Sequence, residues 1–262
     1  MTQVPAQTRL AQPLTKPGTP PPGWILLRGL ARECRYWGDF PDRLATRLGA
    51  PVQCLELAGN GVKHEQHSAR FIAGMLEQVR MEANLTAPVN LLGLSMGGMI
   101  AAQWAARYPR EVAGLVLVNS SCGLSPFWQR MRPVALPRLL LALLLPRKQR
   151  EAQVYRLTCA RRDDRRATLQ RWVGYANEYP VLHRNFVRQL AAAARFRVPA
   201  QALGITPLIL CSRHDRLVDA RCSHALADYW HTQVREHAWA GHDLPHDDPD
   251  WLLNELAGYV NE

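Results

Sequence analysis

This sequence predicts an α/β fold: a mostly parallel, doubly wound sheet with helices on both faces and an inserted helical segment. Three observations point that way. Short apolar runs alternate with stretches of helical spacing along most of the chain, the pattern of strands joined by crossover helices. One run, Val89 to Leu94, passes through Gly93-Leu94-Ser95-Met96-Gly97 into a helical stretch, so a serine sits on a tight strand-to-helix turn. The third observation is charge. Sixteen Lys and Arg fall between Ser121 and Gly204 against four Asp and Glu, while the rest of the chain holds sixteen against eighteen. The whole net charge of +10 therefore lies in one central segment.

The elements follow in order. Residues 1–23 are proline-rich, lack the apolar core of a signal peptide, and read as an extended or disordered arm. Trp24 to Arg28 is a first strand. Asp39-Phe-Pro-Asp opens a helix with Leu44, Ala45 and Leu48 on one face, closed by Gly49. Val52 to Leu57 is a second strand, running into the turn Ala58-Gly59-Asn60-Gly61. Ser68 is placed to cap a helix bearing Ile72, Met75, Leu76 and Val79. The helix after Ser95 continues to Tyr108 and stops at Pro109. Val112 to Asn119 and Thr206 to Ser212 are the fourth and fifth strands. A helix from about Asp219 to Trp230, a strand from Gln233 to Trp239 and a helix from Trp251 to Tyr259 close the chain. Six parallel strands are expected in a core of residues 24–120 and 205–262. Residues 121–204, with helical patches at Gln149–Leu157, Ala167–Tyr175 and Val187–Arg195, enter between the fourth and fifth strands as a basic helical insertion.

Composition narrows the class. Hydrophobic residues at 47% and charged residues at 21% allow a sizeable core and exclude a disordered chain. The longest apolar run, Leu139 to Leu145, is too short to span a bilayer. Cys34, Cys54, Cys122, Cys159, Cys211 and Cys222 show no metal-like spacing, which fits free thiols and a cytoplasmic location. Trp172, Tyr175 and Tyr179 form no nucleic-acid recognition motif.

The chemistry centres on Ser95. Gly93 and Gly97 leave room for a sharp turn, and the helix that starts beside the serine points free N–H groups at whatever it attacks. This Gly-x-Ser-x-Gly elbow between strand and helix resembles the α/β-hydrolase superfamily, and the resemblance runs from about Trp24 to Val260. It implies an α/β-hydrolase fold whose insertion is a helical cap, and a triad in the chain order Ser, acid, His. In Arg213-His214-Asp215-Arg216-Leu217-Val218, Asp215 stands where members place the acid; Asp219, the other candidate, reads as a helix cap. In Ala240-Gly241-His242-Asp243, His242 is the matching histidine. His242 then takes the Ser95 proton while Asp215 fixes the imidazole tautomer. The N–H groups of Leu30 and Met96 form the oxyanion hole, with Gly29 beside the substrate. The family's His-Gly-apolar pattern is Arg28-Gly29-Leu30 here, and Arg28 reads either as a structural ion-pair partner or as a contact for an anionic substrate group. Phe127 and Trp128, with the Leu139–Leu145 run, are placed to line an acyl pocket, although core packing explains the run equally well. His246 lies four residues after His242, but Pro245 is expected to break any helix aligning the two, and neither a metal nor a cofactor is expected.

The implied function is a serine esterase cleaving a carboxylic ester or thioester, small or linked to an acyl carrier, through an acyl-enzyme on Ser95. The same triad serves acyl transfer, carbon–carbon bond hydrolysis and perhydrolysis in this superfamily; a non-catalytic binding member, with the basic cap as its interaction surface, is the competing class. The arginine-rich cap is either a solvated surface or a face for an acidic partner, such as an acyl carrier protein or anionic lipid head groups.

Overall fold

In the computed structural model, residues 21–198 and 203–261 are described. Most of the expected N-terminal arm (1–20) and residues 199–202 of the expected insertion lie outside the described residues. Among the described residues six strands build one sheet: β1 (Trp24–Leu27), β2 (Val52–Leu55), β3 (Val89–Leu94), β4 (Val112–Val118), β5 (Leu208–Ser212) and β6 (Val234–His237). Their order is β2-β1-β3-β4-β5-β6 and every neighbouring pair is parallel. The inner strands are apolar along nearly their whole length because both faces are covered, whereas the edge strands β2 and β6 are half-buried and mixed in composition.

Alternate residues feed two cores. Ile25, Leu27, Leu91, Leu115, Leu117 and Ile209 pack on one face with α2 (Ile72–Arg80), α3 (Met96–Arg107) and α9 (Arg221–Trp230). Trp24, Leu26, Leu92, Val116 and Leu210 pack on the other with α1 (Phe40–Leu48) and α11 (Pro249–Asn261). The chain runs from β1 outward to β2, then returns across to β3. The strand order therefore reverses between β1 and β3, the place where open α/β sheets leave a crevice at their carboxyl ends.

Two capping expectations fare differently. Ser68 does not start α2, which begins at Ile72. Its hydroxyl donates to the Ala58 carbonyl at 2.6 Å, and its N–H is taken by the Asn185 carboxamide at 3.1 Å, so a tertiary bond displaces the local cap. Asp219 stands one residue before the N-cap, Ala220, and its carboxylate accepts the Arg221 N–H at 3.0 Å, so it serves the first turn of α9 from just outside the cap position.

Between β4 and β5 the chain forms α4 (Phe127–Arg130), α5 (Ala135–Leu144), α6 (Arg147–Thr158), α7 (Arg165–Glu178) and α8 (His183–Arg195). The apolar run lies in α5, which is apolar on two faces. Ala135, Leu139 and Ala142 are buried, while Leu140, Leu141 and Leu144 are exposed. No helix among the described residues is long and apolar enough to cross a membrane.

Candidate active site

Ser95 joins β3 to α3 with φ 58 and ψ −118, a backbone conformation costly for any residue with a Cβ. Its N–H donates to the Val118 carbonyl at 2.8 Å, and its own carbonyl accepts the Ser120 hydroxyl at 2.8 Å. The turn closes only because its neighbours are glycines. A Cβ on Gly97 would run into the Leu27 carbonyl, and one on Gly93 would lie 2.5 Å from the Gly97 backbone.

The ends of β5 and β6 bring the acid and the histidine together. Asp215 Oδ2 accepts the His242 Nδ1 proton at 2.6 Å, and both side chains are buried. Asp215 Oδ1 accepts the N–H groups of Leu217 and Val218 at 2.7 and 3.0 Å, which fixes the plane of the carboxylate. A proton held on Nδ1 leaves Nε2 as the acceptor. His242 and Ser95 line the same cavity.

Asn119 stands behind this pair, and nothing in the local sequence marks it. At the end of β4 it adopts φ 47, which asparagine tolerates. Its side-chain nitrogen donates to the His242 carbonyl at 2.9 Å, and its oxygen accepts the Ser212 N–H at 2.7 Å. One side chain thus joins the loops that carry Asp215 and His242.

The loop after β1 faces Ser95. A Cβ on Gly29 would sit 3.1 Å from that of Ser95, so glycine is what allows the close approach. Leu30 lines the cavity beside Ser95, and Met96 follows Ser95 as the first residue of α3, so both backbone N–H groups stand close to the serine. Arg28 resolves in favour of an ion pair. Its guanidinium makes two bonds to Asp243, at 3.0 and 2.7 Å, and lies over the Trp37 ring at 4.8 Å from the centroid. Burial alone would raise the Asp243 pKa, but Arg28 holds the carboxyl below the usual carboxylate range. Because Asp243 immediately follows His242, Arg28 ties the loop after β1 to the histidine loop. Arg28→Ala leaves a buried carboxylate unpaired and is expected to cost about 3 kcal/mol or more in chemical denaturation at neutral pH. A carboxyl whose folded pKa is depressed stabilises fully above its unfolded value. The gap between wild type and variant should therefore be complete above about pH 4 and shrink as the pH falls further.

The cavity lies between these loops and the helices inserted after β4. Leu139, Ala142 and Leu143 of α5, Val154 of α6 and Phe186 of α8 form much of its apolar wall, with Gly29 and Leu30 near Ser95. Polar residues interrupt it. Arg32 lies over both the Tyr36 and Trp172 rings, at 4.2 and 4.4 Å from their centroids, and is bonded to Glu151 at 2.7 Å. Burial would lower its pKa, but the charge and hydrogen bond of Glu151, with Tyr36 and Asp243 nearby, together raise it, so the arginine stays charged. Phe127 and Trp128 do not belong to the cavity, contrary to the sequence expectation. They lie on the single-turn helix α4 and are 50% and 62% exposed. The Gln129 carbonyl accepts the Asp219 N–H at 2.9 Å and the Arg130 guanidinium donates to the Ala193 and Ala194 carbonyls, so the turn is held by residues other than Phe127 and Trp128, whose rings face outward. Cys122 is buried and does not line the cavity either.

Pro245 sits in the first turn of α10 (Leu244–Asp247), where its missing N–H is harmless; that short helix begins after His242, so it does not carry both histidines. His242 and His246 serve different neighbours, His246 meeting the Tyr155 hydroxyl at 3.3 Å. Cys159, His246 and Asp247 gather their ligand atoms within 4.8 Å of one another. However, the Asp247 oxygens already accept the N–H groups of Ala160, Arg161 and Gly241.

Residues 54–248 match the model of the family described as serine aminopeptidase, S33. The chain belongs to that family. It is an α/β-hydrolase, and solved structures across the superfamily share its fold. The enol-lactonase from Burkholderia xenovorans LB400 superposes with a TM-score of 0.74 at 17% identity, over 92% of both chains. The 2-hydroxy-6-oxo-6-phenylhexa-2,4-dienoate hydrolase of Rhodococcus sp. strain RHA1 gives 0.74 at 19% identity, over 92% of this chain and 91% of that one. Among curated relatives, a pimeloyl-[acyl-carrier protein] methyl ester esterase from Chromobacterium violaceum is 32% identical over 100 residues. Its counterpart from Yersinia pseudotuberculosis is 35% identical over 97 residues. These matches span 38% and 37% of this α/β-hydrolase chain, and 37% and 36% of the two relatives' lengths.

Proposed function

We propose that this α/β-hydrolase cleaves a carboxylic ester, or a thioester, through an acyl-enzyme on Ser95. One arrangement carries the reading: a serine held at positive φ shares a cavity with a buried histidine whose Nδ1 proton is bound by a carboxylate. Ser95 Oγ attacks the ester carbonyl carbon as its proton passes to His242 Nε2. The N–H groups of Leu30 and Met96 receive the negative charge that develops on the carbonyl oxygen. His242 returns the proton to the departing alcohol, which leaves Ser95 acylated. A water molecule, deprotonated by His242, then attacks the acyl carbon; the acid departs and Ser95 regains its proton. Asp215 stabilises the imidazolium in both halves. The acyl chain lies along Leu139, Ala142, Leu143 and Phe186, with residues 121–204 acting as the cap.

A carrier-linked ester is the second reading. The curated relatives are named as esterases of a carrier-bound methyl ester, and the stretch from Ser121 to Arg150 holds six Lys and Arg with no Asp or Glu, of which Arg138, Arg147 and Lys148 are exposed, a charge suited to an acidic carrier. One experiment tests both. Turnover of p-nitrophenyl esters from acetate to decanoate is expected, with an optimum set by the cavity. A carrier-linked methyl ester should lose activity steeply with added salt while the small neutral ester does not. Equal salt dependence removes the carrier. Absence of turnover on every ester removes the esterase.

A further inference from the structure

Helix α8 reaches from the inserted segment to the loop that follows β1. Gln189, fully buried on α8, accepts the Ala31 N–H on Oε1 at 2.9 Å. Its Nε2 donates to Asn60 Oδ1 at 2.9 Å and to the Ser68 hydroxyl at 3.1 Å. Asn60 in turn donates to the Arg32 carbonyl at 3.0 Å. Both ends of this chain of bonds are backbone groups of fixed polarity, an N–H at Ala31 and a carbonyl at Arg32, so the two carboxamide orientations are determined. The loop between them needs holding. Ala31 has φ 56, a left-handed conformation that is strained for a residue with a Cβ. It directly follows Leu30, whose N–H is one of the two proposed oxyanion donors. Gln189 itself does not line the cavity.

We propose that Gln189 is a positioning residue for the oxyanion hole: by holding Ala31 it aims the Leu30 N–H, and it makes the seating of α8 a determinant of the catalytic rate. This rests on the esterase reading above. A purely packing role for this position would be filled by an apolar side chain of the same volume. Gln189 instead supplies the acceptor that the Ala31 N–H finds among the described residues. Asn185, one turn earlier on α8, makes a parallel set of bonds to the Ser68 N–H and the carbonyls of His64 and Gln66. The helix is therefore seated firmly enough to transmit position.

The test compares Gln189→Met and Gln189→Glu with wild type on the p-nitrophenyl ester it turns over best. Methionine keeps the length and removes both polar functions. Its kcat is expected to fall about 10- to 100-fold with KM within about twofold, as for a displaced oxyanion donor. Affinity for a trifluoromethyl ketone, which forms a tetrahedral adduct on the serine, should fall in step with kcat. Glutamic acid keeps an acceptor for the Ala31 N–H in either protonation state, but once ionised it loses the donor to Asn60 Oδ1 and sets a negative oxygen against it, displacing Asn60 and the Arg32 carbonyl that Asn60 holds, so its kcat relative to wild type should decline as the pH rises. A folded Gln189→Met enzyme with wild-type kcat overturns the proposal. So does a loss confined to KM, or, should methionine prevent folding, a Gln189→Glu enzyme whose pH profile is that of wild type. Failure of the underlying reading looks different, because wild type itself would then show no turnover that depends on Ser95.

Discussion

Ser95→Ala is expected to lower kcat for ester hydrolysis by about five to six powers of ten while the protein remains folded. Both halves of this expectation follow from the elbow. The strain at Ser95 belongs to its backbone, φ 58 with a Cβ present, and alanine carries the same Cβ, so the substitution neither relieves nor adds to it. The Ser95 hydroxyl makes no hydrogen bond to the described residues, so its removal leaves no buried partner unsatisfied. The loss falls on the chemistry alone, because water held in the same cavity lacks the fixed approach of Oγ to the carbonyl carbon. The measurement is kcat on a p-nitrophenyl ester, with fluorophosphonate labelling of the folded proteins alongside. Wild type should take up one label at Ser95 and the variant none. Turnover by the variant within tenfold of wild type would place the nucleophile elsewhere.

Asp215→Asn should lower kcat by about four powers of ten, with little change in KM. The backbone around the carboxylate decides the outcome. Oδ1 accepts two N–H groups, from Leu217 and Val218, and an asparagine must keep its oxygen there because its amide nitrogen cannot accept them. The nitrogen is then forced toward His242, where it donates to Nδ1. The imidazole switches to the tautomer with its proton on Nε2 and has nothing with which to take the Ser95 proton. The fold is retained, since every backbone bond survives. A variant within tenfold of wild type would mean that another group orients the histidine. Asp219 is badly placed to do so, being bonded to Arg221 and Arg132.

The sheet is legible in the sequence because buried parallel strands leave continuous apolar runs such as Leu91 to Leu94 and Leu115 to Val118, and because the glycines around Ser95 have few other uses. Asp215 and His242 can be placed since each follows a strand end that the same patterns locate. What local pattern does not reveal is pairing across the chain. Arg28 meets Asp243 at a separation of 215 residues, and Gln189 meets Ala31 at 158. Neither partner carries a mark of the other, and Asn119 reads only as the end of a strand. The inserted helices are hardest. Phe127 and Trp128 are as apolar as Leu139 and Leu143, and it takes the docking of α4, through the Gln129 carbonyl and the Arg130 guanidinium, to leave the aromatic pair facing outward while the leucines face the cavity.

The junction between α6 and the histidine loop bears on how such a chain can diversify. The Thr158 carbonyl accepts the Asp243 N–H at 2.8 Å, a Cβ on Gly241 would lie 2.6 Å from that same carbonyl, and the Asp247 carboxylate holds Ala160, Arg161 and Gly241 together. The helices that wall the cavity therefore share a backbone seam with the residue proposed as the general base. They are not an interchangeable module. A foreign insertion spliced between β4 and β5 would have to bring its own counterpart to residues 158–161, or the recipient would gain a new pocket and lose the placement of His242. Changes of substrate preference in this lineage should then accumulate in α5 and α8, away from the seam, where wall residues can be exchanged one at a time.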